Sequence, residues 1–233
     1  MSLLPPIELI TYAAERLGTI CDQVTFLGGA VVALLVTEQG AKPPRPTKDV
    51  DVAIEPTSRL EFYEVEEALR AHGFQNAMEG PICRFKHGAL ILDVMPTDPA
   101  ILGFSNRWYP VAIRTAQQYT LDSGITINLI TPACFLATKM EAFDSPTRED
   151  HGDMYVSRDF EDMITLIDGR PTIAHDVLAA EPDVREYLQE RFALQMNQPN
   201  WRDGVEAHVS DSRAEDVIER VAAFVNPTNP IAP

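Results

Sequence analysis

The chain has 233 residues, of which 45% are apolar and 23% are charged, and 35 acidic against 19 basic side chains give a net charge of −16. This composition is that of a globular protein of one or two domains and excludes a collagen-like or low-complexity chain. The longest apolar run, Ala30 to Val36, is too short to cross a membrane, and the N-terminus lacks the basic flank of a signal peptide. Strong acidity opposes attraction to phosphate backbones and argues against a DNA-coating role. We expect a soluble, cytoplasmic protein without a membrane partner.

Cysteine usage indicates a reducing compartment. The three cysteines, Cys21, Cys83 and Cys134, are widely separated, form no C-x-x-C pair and leave one unmatched in any disulfide scheme. We expect them to serve as small core residues with reduced thiols. The five histidines show no ligand spacing such as H-x-H, which argues against a zinc site.

The first 130 residues alternate helical and extended patterns, which predicts a mixed α/β domain. Apolar positions at helical spacing predict a helix over 7–21, and a short strand over 23–27 runs into Gly28-Gly29. A buried helix is predicted over 30–38. Three prolines make residues 41–47 a loop, because proline fixes φ and restricts the residue before it.

The segment 49–54 alternates polar and apolar residues, as a strand with one solvated face does. A helix is predicted over 59–72, and its inner face is expected to contain Leu60, Tyr63, Val65, Ala68 and Leu69. Residues 81–86 and 89–95 predict a hairpin with a turn at His87-Gly88. Further strands are predicted over 111–115, 118–121 and 125–130.

Helices dominate from Thr131 onward. Thr131-Pro132 is typical of a helix start and predicts a helix over 133–143, and Ser157 is expected to cap another that runs to about Ile167. Further helices are predicted near 173–180, 183–195 and 212–224, before a proline-rich tail that we expect to fray. The chain therefore divides into an α/β core over 1–130, a helical part over 131–225 and a flexible tail over 226–233.

Two aspartates, Asp49 and Asp51, stand one residue apart on a predicted strand. Their side chains therefore share one face, within reach of the same divalent cation. The pattern alone is weak, because 17 aspartates in 233 residues produce about one D-x-D by chance. The alternative is a strand end whose polar face is exposed to solvent and binds no ligand.

The diglycine Gly28-Gly29 lies between a predicted strand and a predicted helix. Backbone N–H groups and the helix dipole can bind an anion there, and glycine lets a phosphate approach the main chain. An ordinary tight turn is the alternative. Followed by the D-x-D strand, this order predicts a triphosphate cradle beside a metal pair.

Asp93 is a third candidate ligand, in the otherwise apolar run Leu90–Met95. An ionised carboxylate in such a strand is costly unless it is paired or bound to metal. Three aspartates on neighbouring strands would hold two Mg²⁺ ions. The alternative is a strand-end residue in contact with water.

Three segments, Gly28-Gly29, Thr47-Lys48-Asp49-Val50-Asp51 and Leu92-Asp93-Val94, resemble the catalytic core of the DNA polymerase β-like nucleotidyltransferase superfamily. The signature of that superfamily is a Gly-Gly or Gly-Ser turn, a D-x-D strand and a later strand aspartate. Segments 130–143 and 157–163 resemble its AbiEii-type, toxin-like branch, in which a helix with an inward lysine precedes an (R/K)-D-x-x-D helix. The likeness covers about residues 24–168 and implies an α/β (α+β) fold, a mixed sheet flanked by helices, with a helical C-terminal part that completes the active-site cleft.

The resemblance also implies a reaction and its residues. The reaction is transfer of a nucleoside monophosphate from an NTP to an acceptor hydroxyl, with Mg²⁺ or Mn²⁺ as cofactor and pyrophosphate as product. Carried over position by position, the nucleotide contacts are Gly28, Gly29, Thr47 and Lys48, the metal ligands are Asp49, Asp51 and Asp93, and the remaining catalytic residues are Lys139, Asp159 and Asp162. Lys139 would pair with the nucleotide phosphates, and the two acids, on one helical face, would orient it or contact the nucleotide. The alternatives are a solvated lysine and first-turn acids favoured by the helix dipole.

The AbiEii-type likeness implies a bacterial toxin that acts on tRNA or protein, with a cognate antitoxin as partner. The alternatives are a small-molecule nucleotidyltransferase of the antibiotic-modifying kind and a noncatalytic nucleotide- or partner-binding module. An RNA acceptor would need a local basic patch. The candidates for it, or else for scattered solvated charges, are Lys42, Arg45, Lys48, Arg107 and Arg114, with Trp108 and Tyr109 nearby.

Overall fold

A computed structural model describes residues 4–56, 58–150 and 152–227. The described residues form two compact units, the first drawn from Met1–Ala33 and Pro46–Thr131 and the second from Leu34–Arg45 and Pro132–Pro233. No described helix has the length and apolar character needed to cross a membrane. The predicted tail falls almost wholly on residues 228–233, outside the described part of the chain.

The first unit is built on a mixed sheet, which confirms the predicted α/β class. Over the described residues the sheet has seven strands, in the order β3-β4-β5-β2-β1-β7-β6. The strands are β1 (Thr25–Leu27), β2 (Asp49–Ile54), β3 (Gln75–Asn76), β4 (Arg84–His87), β5 (Leu90–Pro96), β6 (Gln117–Thr120) and β7 (Thr126–Leu129). Its helices are α1 (Pro6–Leu17), α3 (Arg59–Ala71), α4 (Pro99–Leu102) and α5 (Tyr109–Arg114), and a short α2 (Val32–Leu35) leads into the second unit.

Strand β2 has the predicted bounds, and the predicted alternation holds over its first four residues. Val50 and Val52 are fully buried, whereas Asp49 and Asp51 are half-buried on the other face. β2 pairs antiparallel with β1, where Leu27 is opposite Asp51, and parallel with β5, where Asp51 is opposite Asp93. The period of two thus separates the core from the acidic face along this strand.

The hairpin of β4 and β5 is confirmed, but its turn is displaced. A turn at His87-Gly88 would place Arg84 opposite Ile91. In the structure His87 pairs with Leu90, and Arg84 therefore lies opposite Asp93. Gly88, with φ +59°, occupies the loop, where a positive φ favours glycine.

Residues 111–115, predicted as a strand, instead belong to helix α5. Pro110 lies in the first turn of α5, where its fixed φ suits a helix and its missing N–H costs nothing. The inner face of α3 was also predicted wrongly in part, since Leu60 and Tyr63 are 68% and 54% exposed. The buried positions at the helical period include Phe62 and Leu69.

The helix predicted over 30–38 is much shorter in the structure. After a 3₁₀ turn over Gly29–Val31, α2 ends at Leu35. The N–H groups of Thr37 and Glu38 then donate to the carbonyl oxygen of Gly169 instead of continuing the helix. All three residues belong to the second unit.

The second unit is helical, as predicted. Its helices after α2 are α6 (Pro132–Phe143), α7 (Arg158–Gly169), α8 (Ile173–Leu178), α9 (Pro182–Met196), α10 (Trp201–Glu206) and α11 (Asp211–Val225), of which α10 was not predicted. The Ser157 cap is confirmed, because its hydroxyl oxygen accepts a hydrogen bond from the Phe160 N–H of α7. Four phenylalanines that are fully buried mark the core of this unit: Phe135, Phe160, Phe192 and Phe224.

The three cysteines all lie in the described part of the chain and are buried thiols rather than disulfides. Burial raises the pKa of Cys21 to about 11 and that of Cys83 to about 12, with nearby carboxylates adding to each shift. At neutral pH these two thiols are therefore protonated and weak nucleophiles, which fits the predicted role as core residues.

Candidate functional site

Three aspartates share one face of the sheet in the first unit. Asp49 and Asp51 are two residues apart on β2, and Asp93 is the registered neighbour of Asp51 on the parallel strand β5. Registered neighbours and alternate residues point to the same side of a sheet. We call Asp49, Asp51, Asp93 and the adjacent Arg84 the carboxylate face. The side chain of Asp49 is 34% exposed and that of Asp93 only 9%.

Arg84, a residue that the sequence analysis did not single out, binds Asp93 with two hydrogen bonds. Its Nε donates to Oδ1 of Asp93 at 2.8 Å and its Nη2 to Oδ2 at 2.7 Å. The same Nη2 reaches Oδ2 of Asp49 at 3.3 Å. The hydrogen bonds to Asp93, with its negative charge, raise the pKa of the guanidinium, which is charged at any accessible pH. Asp93 is thus a paired carboxylate, which explains how the apolar strand β5 tolerates it.

The carboxylate of Asp49 receives a hydrogen bond on each oxygen. The buried hydroxyl of Thr47 donates to Oδ1 at 2.7 Å, while Arg84 donates to Oδ2. These two donors hold the carboxylate in one orientation. Lys48, the other residue predicted to contact the nucleotide from this segment, is exposed.

The diglycine turn and Asp51 are adjacent in the structure. Gly28 has φ +73° and ψ −169°, a conformation that is essentially restricted to glycine. A Cβ added at Gly28 would lie 1.9 Å from Oδ2 of Asp51, so the carboxylate rests directly against the glycine. The structure therefore brings together the turn and one carboxylate of the D-x-D pair. The short 3₁₀ turn and α2 that follow have less macrodipole than the longer helix predicted there.

The donors of the carboxylate face fit a cation that is bound together with a polyphosphate. Within residues 4–56, 58–150 and 152–227, no group of three or more His, Cys, Asp or Glu is arranged to hold a metal ion. Asp93 is nearly buried and both its oxygens accept from the same guanidinium, so the half-exposed Asp49 and Asp51 are the carboxylates that a cation can reach. Mg²⁺ is commonly held by one or two carboxylates, several waters and the phosphates of a substrate. A site of this kind needs no third aspartate.

A second group of charges lies in the second unit, where α6 and α7 supply Lys139, Asp159 and Asp162. The Lys139 ammonium is 2.9 Å from Oδ1 of Asp159 and 2.8 Å from Oδ2 of Asp162. The i, i+3 spacing of the two acids places both on the helical face that meets the lysine. Lys139 is 9% exposed, so it is a buried, paired lysine and not a solvated one.

Two arginines complete this group, which we call the lysine cluster: Arg45, Lys139, Arg148, Asp159 and Asp162. Arg45 donates to both oxygens of Asp162, at 2.8 and 2.9 Å. The more exposed Arg148 pairs with Oδ2 of Asp159 at 3.0 Å. Neither was assigned to this group from the sequence, because residues 45 and 148 lie in loops far along the chain from both helices.

Burial and charge act in opposite directions on the lysine cluster. Burial by itself lowers the pKa of Lys139, but the charges and hydrogen bonds of Asp162 and Asp159 outweigh it and raise the pKa. Burial likewise works to raise the pKa of Asp162, and the charges and hydrogen bonds of Lys139 and Arg45 lower it instead. The lysine and this acid are therefore both ionised at neutral pH.

No protein-family model matches the chain, and no curated protein matches it in sequence. Family membership is therefore not shown, and the chemistry of the two groups of side chains is what supports a function.

Proposed function

We propose that the protein is a metal-dependent nucleotidyltransferase, which moves a nucleoside monophosphate from an NTP to an acceptor hydroxyl and releases pyrophosphate. The observation that carries this proposal is the contact between Asp51 on β2 and Gly28 in the turn directly after β1, with Asp49 on the same face as Asp51. A polyphosphate bound along the glycine backbone would lie next to both carboxylates. The negative charges would repel each other, and a divalent cation between them would make binding favourable. The polymerase β-like signature of these segments supports the same reaction.

The roles at the carboxylate face follow from exposure and hydrogen bonding. Asp49 and Asp51 hold Mg²⁺ or Mn²⁺, and Thr47 and Arg84 keep Asp49 in place. Gly28 lets the carboxylate of Asp51 lie against the main chain of the turn, because it has no Cβ there. When bound, the metal ion lowers the pKa of the attacking hydroxyl and neutralises the departing pyrophosphate.

For the lysine cluster, the AbiEii-type likeness supports a role of Lys139 in pairing with nucleotide phosphates. Its raised pKa keeps the ammonium charged, and Asp159 and Asp162 hold it in one position. The same likeness supports a toxin of a bacterial toxin–antitoxin pair, acting in the cytoplasm on tRNA or protein.

The first test is transfer of label from each α-labelled NTP, with Mg²⁺, to total tRNA or to the protein itself. We expect Asp49→Asn and Asp51→Asn to lower the transfer rate by on the order of 10²–10³-fold, because each removes a charged ligand of the metal ion that would neutralise the transition state. Asp122→Asn is the matched control, since Asp122 is exposed in the turn between β6 and β7. Transfer by the Asp51→Asn protein at the wild-type rate would contradict the proposal.

The acceptor decides between the toxin and the alternatives. Label on tRNA or on the protein, together with growth arrest that Asp51→Asn relieves, supports the toxin. Label that moves only to a hydroxylated antibiotic supports the small-molecule enzyme. NTP binding without transfer to any acceptor supports the noncatalytic module.

A further inference from the structure

Arg84 is the charged residue of the carboxylate face that metal-assisted transfer does not require. Its Nε and Nη2 groups both donate to Asp93, whose side chain is nearly buried, and Nη2 also donates to Asp49. Strand pairing brings it there, because Arg84 is opposite Asp93 in the β4–β5 register. Its position is therefore set by the sheet backbone as well as by the ion pair.

The charges of the face explain what this arginine does. Three carboxylates on one face repel each other, and a buried unpaired carboxylate costs several kcal/mol. A guanidinium removes part of that repulsion and remains charged, as its raised pKa indicates. It also places a positive charge beside Asp49, where it repels an incoming cation.

We propose that Arg84 is the built-in counter-cation of the carboxylate face, and that it makes binding of the divalent cation depend on the polyphosphate of the nucleotide. This inference rests on the proposed function, because it concerns the same carboxylates. With Arg84 in place, both oxygens of Asp93 are engaged and a positive charge lies 3.3 Å from Asp49, so the face by itself attracts a cation less strongly. A triphosphate supplies further oxygen ligands for the cation and further negative charge. The metal ion and the nucleotide are therefore expected to bind together.

The same geometry assigns a role to Asp93. Both of its oxygens accept from Arg84 and its side chain is 9% exposed, against 34% for Asp49, so it anchors the arginine instead of ligating the metal ion. Three aspartates become available to a cation only when Arg84 is removed. Substitution of Arg84 is thus expected to strengthen binding of the metal alone.

The test is isothermal titration calorimetry of the full-length protein with MnCl₂ alone and with preformed Mn²⁺–inorganic triphosphate. We expect the wild type to bind Mn²⁺–triphosphate at least about tenfold more tightly than Mn²⁺. For Arg84→Gln, we expect affinity for Mn²⁺ alone to rise by about tenfold, a size typical of changes to groups that contact metal ligands. Arg59→Gln is the control for net charge, because Arg59 donates to the carbonyl oxygens of Ala100 and Ile101.

A double variant separates the role of Arg84 from a general effect of the substitution. Arg84→Gln combined with Asp93→Asn removes the arginine and its anchoring charge together, and we expect Mn²⁺ affinity to return to near the wild-type value. Asp93→Asn alone tests the anchor and avoids the unpaired acid that could unfold Arg84→Gln. We expect it to bind Mn²⁺–triphosphate within about threefold of wild type, because Arg84 remains in the face, whereas loss of a true ligand should cost more than the ~10–100-fold typical of groups that only contact ligands.

Two results overturn the inference. One is an Arg84→Gln protein that is folded by circular dichroism and binds Mn²⁺ alone no more tightly than wild type. The other is loss of Mn²⁺–triphosphate binding in Asp93→Asn. The proposed function survives either result as long as wild type binds Mn²⁺–triphosphate more tightly than Asp51→Asn does. It fails together with the inference if that difference is absent.

Discussion

The carboxylate face and the lysine cluster differ in charge balance and in burial. The face has three carboxylates against one guanidinium, with Asp49 and Asp51 half-exposed on one side of the sheet. In the lysine cluster three bases pair with two acids, a third acid, Glu161, lies 4.0 Å from Arg45, and the ammonium and the carboxylates of Asp159 and Asp162 are almost fully buried. A carboxylate that solvent can reach can also be reached by a cation, whereas a buried and nearly balanced cluster holds its members in place. We therefore expect substitutions in the cluster to affect folding first, and substitutions on the face to affect ligand binding first.

The largest effect on stability is expected from Lys139→Met. The substitution removes the partner shared by Asp159 and Asp162, and breaking a buried ion pair in this way costs about 3–5 kcal/mol. Because Arg45 and Arg148 still pair with the two acids, we expect a loss of about 3 kcal/mol, measured by urea unfolding. Lys86→Met, at an exposed position on β4, is the control and should change stability by less than about 0.5 kcal/mol.

The pH dependence of the stability lost in Lys139→Met tests whether the broken ion pair causes that loss. The pKa of Asp162 is lowered from its ordinary value of 3.8, so its contribution to stability is present above that value and is lost as pH falls through the pKa of the folded state. The difference between wild type and Lys139→Met should therefore shrink in acid, below pH 3.8. A difference that stays constant down to pH 2 would show that lost packing, and not the ion pair, destabilises the variant.

Gly28→Ala is expected to have an intermediate effect on stability and a larger one on binding. The conformation of Gly28 strains any other residue by about 1–3 kcal/mol, and the added Cβ would also displace the carboxylate of Asp51. Gly124→Ala is a matched control, because Gly124 has φ +87° and no atom within 4 Å of the added Cβ. We expect both variants to lose stability, and Gly28→Ala alone to lose binding of Mn²⁺–triphosphate. Equal binding by both variants would separate the glycine turn from the ligand site.

The smallest effect is expected from Arg148→Gln. The Arg148 side chain is 51% exposed, and ion pairs of that kind contribute about 0–1 kcal/mol. Arg45→Gln removes two hydrogen bonds to a buried carboxylate and should cost more in the same urea experiment. An Arg148→Gln protein that is less stable than Arg45→Gln would mean that exposure does not rank the charges of the lysine cluster.

Much of the fold could be predicted because its signals are local. The position of β2 follows from the alternation of Asp and Val over residues 49–52, and the start of α7 follows from a serine cap. The strand predicted over 111–115 failed because β-branched Val111 and Ile113 suit a strand equally well, and Pro110 in the first turn decided for a helix. The face of α3 failed because apolar residues at Leu60 and Tyr63 are not required to be buried.

Less of the candidate site could be predicted, because pairing partners depend on register. The three aspartates were found as isolated residues with a chemical pattern, but Arg84 was not, although it lies in a predicted hairpin. A displacement of the turn by one residue moves the partner of Arg84 from Ile91 to Asp93. Register of this kind is set by the turn and by the neighbouring strands together.

The amino-acid sequence by itself determined the positions of the acids on β2, the diglycine turn, the helical second half and the alternation that keeps Val50 and Val52 in the core. Each of these depends on residues within a few positions of one another, where propensity and periodicity act directly. Only the tertiary structure decided that Asp51 rests on Gly28, that Asp93 is paired with Arg84, and that Arg45 joins Asp162. These contacts join residues 9 to 117 positions apart along the chain, so they arise from strand register and helix packing, which no local pattern encodes.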